Sequence, residues 1–478
     1  MRKNILLLAL LACTLAYGTP VQIGKLYYEL NVTTATVVRD QSGAAVNYAT
    51  LDTIIIPGIV TYGGHDYTVT AIDLYAFRNC TDLIAVSIPS SVETVGNAAF
   101  QSCVWLDSVA WHPVKLTAGY ATNTHPFYNC KKITKFTFGP DVQRIPSYLC
   151  YEMAGITSVT FPDGLKFIGN YAFAYMTGIS QIVLPEGFNQ MGSGIFSGCS
   201  NLASIRIPSS LSTIGDSFCN GTALTELTLP ESVVSIGSEA FMGTQLTSVT
   251  ISEGVTAVGN RAFAATKITS VVWNAVNAIS GSATNTHPFY NSPLKSITFG
   301  KDVTTIPSYL CYDQKKLEEI YNYATKPQTI QANVFFNVSK STCALYVPKE
   351  ALEAYQAKAV WQDFANMVGT LSTLKYTDAV TTIAYLGQQA ADTLHQAPLM
   401  LRMPVAPMID GYTFLKWEVL AGDFEDGIVL QAVYESDNPT GSGQIVQRQS
   451  SGRKLIQRGN VYVLRDDALF TVTGQKVK

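Results

Sequence analysis

Five histidines and nine cysteines are the residues of this chain whose chemistry would be easiest to recognise. His125 and His287 stand in identical stretches, Ala121–Phe127 and Ala283–Phe289, each reading ATNTHPF. Paired imidazoles suggest a metal, but a shared ion needs both nitrogens within coordination distance. These two are separated by 162 residues, seven turns of the repeat described below. At about 4.8 Å per stacked strand they stand on the order of 34 Å apart and share no ion. His65, His112 and His395 fall in no metal-ligand spacing, and no Cys-x-x-Cys pair exists. Gly-x-Ser-x-Gly, His-Glu-x-x-His and Walker patterns are absent from the sequence. Asp302 and Asp313 are isolated carboxylates. The expectation is a non-enzymatic chain with no catalytic residues, no metal and no cofactor.

The elements that carry these residues follow a fixed period. Lines beginning at Phe161, Leu184, Ile207, Leu229, Ile251 and Trp273 advance by 23, 23, 22, 22 and 22 residues. Each opens on an apolar residue, usually followed by Pro, and runs through Ile-Gly and Ala-Phe to Leu-x-x-apolar-x-apolar. A period of 20–29 residues marks a leucine-rich-repeat solenoid. In Leu202-x-x-Ile205-x-Ile207 the last two apolar residues alternate with Arg206, a short strand with one buried face. Pro208 closes it, having no N–H for a ladder. Gly215 is expected at a positive φ, and Phe218 fills the coil. One coil buries five or six apolar side chains at roughly 2 kcal/mol each. Ordering its backbone and side chains costs on the order of 30 kcal/mol. Stability must therefore come from stacking.

The coils centre on Phe77, Phe100, Phe127, Cys150, Phe173, Phe196, Phe218 or Cys219, Phe241, Phe263, Phe289 and Cys311, with a divergent twelfth at Phe335-Phe336. The stretches starting at Trp111 and Trp273 are near copies, so a block of seven coils is duplicated. Each copy holds one long coil, and Pro146 and Pro307 then replace the usual Gly. Cys80, Cys103, Cys130 and Cys199 follow the Phe position by three residues; Cys150, Cys219 and Cys311 take the Phe place. Free thiols in a buried column are expected.

The predicted fold class is mainly β. Residues 1–18 read as a signal peptide, with Arg2 and Lys3 before a short apolar run. Cleavage before Thr19 is favoured over lipidation at Cys13, because the run before Cys13 is very short. Residues 19–53 form an N-terminal β cap, and 54–369 the solenoid with a C-terminal capping helix. Residues 371–435 form a small β-module, 436–452 a linker and 453–478 a tail of short strands. The helix is read from Pro348 at its start and a stripe of Leu352, Tyr355 and Ala359. No stretch after the leader is apolar enough to span a membrane. A net charge of −3 excludes a basic nucleic-acid surface.

Through IPSSVETVGNAAFQSC (Ile88–Cys103) and LPESVVSIGSEAF (Leu229–Phe241), residues 54–369 resemble the BspA-like leucine-rich repeats (LRR type 5) of bacterial surface proteins. The resemblance implies an exported, adhesin-like role at the cell surface or outside the cell, with a host matrix or cell-surface protein as partner. MIDGYTFLKW and LQAVYE resemble the internalin B-type (Listeria–Bacteroides) repeat. The tail is similar to sorting signals of the type IX secretion route of Bacteroidetes.

Binding is expected on the exposed strand face. Its outward residues run Ser87, Ala110, Thr137, Thr160, Val183, Arg206, Thr228, Thr250, Val272, Thr298, Tyr321 and Tyr346. We take Thr137, Thr160, Arg206, Thr228, Thr250 and Thr298 as its hydroxyl and polar contacts, with Tyr321 and Tyr346 as anchors. β-branched Thr also simply suits an exposed strand. The alternative site is the loop pair, through Asn123, His125, Asn285 and His287. The alternative partner is a glycan, which hydroxyls and tyrosines also suit.

Overall fold

The computed structural model describes residues 19–39, 47–114, 116, 119–280 and 283–371, and the backbone of five strands between 412 and 471. The leader, the linker and the first part of the β-module lie outside the described residues. The fold is mainly β, a solenoid of about 13 turns. Its residues divide into two compact units, 1–320 with 328–343 and 321–327 with 344–478.

The first unit opens with strands Val21–Ile23, Leu26–Leu30 and Thr34–Val38, paired antiparallel. Thr34–Val38 then pairs parallel to His65–Ile72. Tyr48 pins this start to the array. Its hydroxyl donates to the Val38 carbonyl at 2.9 Å and accepts the Tyr27 N–H at 2.7 Å. Its ring packs on Phe77, with centroids 4.9 Å apart. The turn between Ile59–Tyr62 and His65–Ile72 places Gly63 and Gly64 at φ 57° and 81°, a region open to glycine at little cost.

Three features hold each coil to the next. The first is the strand row, as in Ser108–Trp111 beside Lys135–Phe138 and Ser248–Ile251 beside Ser270–Trp273, all parallel and in register. The second is the phenylalanine column. Phe77, Phe100 and Phe127 stack at 4.9 and 5.2 Å, and Phe173 through Phe289 continue at 5.4–6.1 Å. Where Cys150 leaves a ring out, Phe136 and Phe138 lean in, against Phe127 and Phe173.

The third was not foreseen. Around most central residues the backbone alternates, with left-handed residues two before and two after, such as Tyr171 (φ 53°) and Tyr175 (φ 59°) around Phe173; at Phe127, Phe289 and Phe335 only the later one is left-handed. The alternation turns three N–H groups toward the next coil. Tyr171, Phe173 and Tyr175 donate to the carbonyls of Ser193, Ile195 and Ser197 at 2.8–3.1 Å. Ala98, Phe100 and Ser102 do the same to Thr124, Pro126 and Tyr128. The peptide dipoles along this side are therefore aligned, a fixed polarity that no net charge reveals.

Two expectations are corrected. Gly215 does not adopt positive φ; a Cβ there would stand 2.6 Å from the Gly192 carbonyl oxygen. The Ile-Gly glycine is needed because the preceding coil's backbone passes too close for a side chain. The capping helix shrinks to Leu352–Gln356. The second unit instead pairs Ala344–Pro348 parallel with Asn366–Leu371, Ala344 opposite Asn366, which is a further coil of 22 residues. Val360 at φ 73° breaks the helical stripe. In the same unit, strands Tyr412–Asp423, Gly427–Ser436, Arg453–Gln457, Asn460–Arg465 and Ala468–Thr471 make one antiparallel meander. Strands of the expected module and tail thus share one sheet.

Candidate binding face

Alternation along each strand sends one side chain per coil outward. Ser87 lies between buried Val86 and Ile88, Ala110 between Val109 and Trp111, and Thr298 between Ile297 and Phe299. Register aligns these residues across coils: Ser87 with Ala110, Ala110 with Thr137, Val183 with Arg206, Thr250 with Val272, and Val272 with Thr298. The row is most open in its middle, where Thr137, Thr160, Val183, Arg206 and Thr228 are exposed. Ser87, Ala110, Thr250, Val272 and Thr298 are half-buried. Thr160 and Thr228 themselves lie outside any regular strand.

Arg206 is fixed by Glu186, whose carboxylate receives its guanidinium at 2.6 Å and the Ser209 N–H and hydroxyl at 3.2 Å. An exposed pair of this kind adds only about 0–1 kcal/mol, but it sets the direction of the one cation in the outward row. Tyr321 departs from expectation. Its ring stacks on Tyr346 at 4.7 Å and 10° and is 8% exposed. Tyr346 covers it, so Tyr346 alone can serve as an anchor.

The loop alternative splits. Asn123 and Asn285 are exposed, whereas His125 and His287 are buried, at 3% and 1%. A local turn draws each imidazole inward: the His125 and Thr124 N–H groups both donate to Ala121 O, and the Ala121 N–H to Thr124 Oγ1. His125 packs edge-on to Tyr128 and Tyr151, and His287 against Tyr290 and Tyr312. Burial pushes each imidazole down to about 4, so both are neutral at pH 7. Neither Nδ1 has a hydrogen-bond partner among the described residues. No group of three or more His, Cys, Asp or Glu that could hold a metal occurs among the described residues.

The eight cysteines among the described residues are free and buried. They act as donors as well as small hydrophobes. Cys103, Cys130 and Cys199 point Sγ at the carbonyls of Phe77, Phe100 and Phe173, each one coil back, at 3.0–3.1 Å. Burial raises the Cys199 thiol to about 12 and Cys150 well above its ordinary value, so neither is a nucleophile.

Trp105 was missed by the sequence reading. It is 59% exposed, with the Lys132 ammonium 5.3 Å above its ring. The signal was an aromatic side chain at the coil position where neighbours carry Asp82 and Lys132.

Parallel strands, a glycine-tight turn in most coils and an outward row of one residue per coil define a leucine-rich-repeat solenoid. The chain matches the BspA type leucine rich repeat region in six copies over residues 64–177, 121–234 and 212–343, more than half its length, and belongs to that family. No curated protein matches it. Among solved structures, it is similar to a leucine-rich repeat protein from Bacteroides ovatus (20% identity, 73% of this chain and 88% of that one, TM-score 0.44). It is also similar to a leucine rich cell surface protein from Faecalibacterium prausnitzii (21%, 69% and 94%, TM-score 0.34). A third is the pneumococcal vaccine antigen PcpA (15%, 73% and 98%, TM-score 0.30). The family is one of surface proteins, suggests a protein-interaction role and is typically non-enzymatic. No helix among the described residues is long and apolar enough to cross a membrane.

Proposed function

We propose that this chain is an exported, non-enzymatic, adhesin-like protein that binds a host matrix or cell-surface protein through its outward strand row. The observation that carries the reading is the open middle of that row, Thr137 to Thr228, where one exposed side chain per coil faces water, Arg206 fixed among them. Solenoids offer such surfaces to extended partners. Residues 1–18 would serve as the leader, 54–369 as the binding array, and 453–478 as a sorting signal. The internalin B-type resemblance of 371–435 fits the same surface role. Largely uncharged contacts imply weak salt dependence. The test is binding of the chain to immobilised matrix proteins. Thr228→Glu should reduce binding at least tenfold while leaving thermal unfolding unchanged. Replacing both ATNTHPF loops with standard-length turns should leave binding intact. Loss in the loopless chain with normal binding by Thr228→Glu would move the site to the loops. Retention on a glycan array with no protein bound would favour the carbohydrate reading.

A further inference from the structure

The aligned N–H ladder is interrupted between the Phe127 and Cys150 coils. In other coils the N–H groups of the central residue and of the residue two further on reach the next coil. The N–H groups of Phe127 and Asn129 reach no acceptor among the described residues, although Asn129 keeps the left-handed φ of 63°. Phe289 and Asn291 repeat the interruption in the second copy. Pro146 and Pro307, just beyond each break, also lack an N–H to donate back. Each break coincides with a buried histidine whose Nδ1 is unpartnered.

The two copies then differ. At the position three after the central residue, Cys103, Cys130, Cys199 and Ser292 each donate to the carbonyl of the preceding coil's Phe. Across the second break the same position holds Gln314, 4% exposed, whose carboxamide Nε2 donates to Phe289 O at 3.0 Å. Its longer arm spans the interrupted interface. Across the first break that position holds Met153, which cannot donate. There a cavity of about 110 Å³ opens, lined among others by His125, Phe127, Asn129, Lys131, Glu152 and Met153. That volume has room for several waters or one small polar group.

We propose that the cavity beside His125 is a binding slot for a primary carboxamide, presented by a Gln or Asn side chain of a polypeptide partner. Phe127 and Asn129, whose N–H groups have no acceptor among the described residues, line the slot. So do His125, whose buried Nδ1 has no partner among the described residues, and Glu152, whose carboxylate accepts hydrogen bonds. An anion would meet Glu152 and a cation would meet Lys131. A neutral group that both accepts and donates meets neither obstacle, and an amide is such a group. Gln314 is the chain's own precedent at the equivalent place. A polypeptide as the source of the amide rests on the protein-binding reading above; the slot itself does not.

The test is histidine-ring NMR on the full chain, with N-acetylglutamine methylamide as probe and N-acetylmethionine methylamide as control. His287 serves as an internal reference, assigned with His287→Phe. The glutamine probe should shift the His125 ring signals saturably and leave those of His287 unmoved, and the methionine control should move neither. Met153→Gln should reduce the affinity at least tenfold while retaining a cooperative thermal transition. His125 signals unmoved up to the solubility of the probe, or an undiminished response in Met153→Gln, would overturn the proposal. Because the probe is a capped amino acid, its failure leaves strand-face binding untouched, and failure of matrix-protein binding leaves the slot intact.

Discussion

The coils around Phe127 and Phe289 share the loop ATNTHPF, a buried neutral histidine, a preceding tryptophan and an interrupted N–H ladder. They differ in what surrounds the interruption. The first packs Phe127 against Phe100, Trp111 and Phe136 and leaves a cavity at Met153. The second stacks Phe289 on Phe263 and bridges the gap with Gln314. A duplicated block can thus keep its fold while the contacts around the break diverge. The residues free to diverge are those facing the neighbouring coil at a break, where no backbone rung fixes the spacing.

The comparison can be broken most severely in the phenylalanine column. Phe127→Ala should cost about 3–5 kcal/mol by cavity formation. Phe289→Ala should cost less, because it loses one ring contact rather than three. Denaturant midpoints check this, and a larger loss at Phe289 would contradict the packing difference.

Acid acts on both copies. Each histidine is held near 4 in the folded chain, against about 6.5 unfolded. The unfolded chain therefore binds the proton more readily, and stability falls as pH drops from about 6.5 toward 4. The loss is up to about 3 kcal/mol per histidine. The Asp313 carboxylate works against the depression at His287. Urea midpoints at pH 7 and pH 4.5 should separate by less in His125→Gln than in the wild type. An unchanged separation would place His125 in solvent.

A smaller effect sharpens the difference at the break. Gln314→Met removes the donor to Phe289 O and should cost about 1–2 kcal/mol. Met153→Gln, at the equivalent site, should be near neutral or stabilising by thermal unfolding. Smallest is Cys130→Ser, which keeps a donor toward Phe100 O and should change stability by under about 1 kcal/mol.

Much of this could be read from the sequence, and the boundary has a physical cause. The period, the Phe column and the outward residues are written within one coil, as alternation and recurrence. What depends on the distance between coils was hidden. The left-handed positions carry Tyr148, Glu152 and Arg261, residues that announce no special φ, because the next coil's hydrogen bonds hold them there. Gly215 was noticed for the wrong reason, its closeness to Gly192 O being an inter-coil fact. His125 read as a loop residue until the turn at Ala121 placed it inside. The Leu352–Tyr355 stripe suits one helical turn as well as a long helix, and only the Ala344–Asn366 register distinguishes a coil from a cap. On the candidate face, Thr137 and Thr228 were legible by alternation. The cover over Tyr321 and the exposed Trp105 were not.

The central claim is that one aligned N–H ladder joins the coils and is broken twice, at equivalent places. Amide hydrogen exchange, resolved by residue, measures it directly. The N–H groups of Phe100, Ser102, Phe263 and Ala265 donate to the next coil at 2.8–3.0 Å and should be strongly protected. Those of Phe127, Asn129, Phe289 and Asn291 should exchange at least tenfold faster in both copies. Equal protection across all eight would contradict the break, and with it the account of how the two blocks differ.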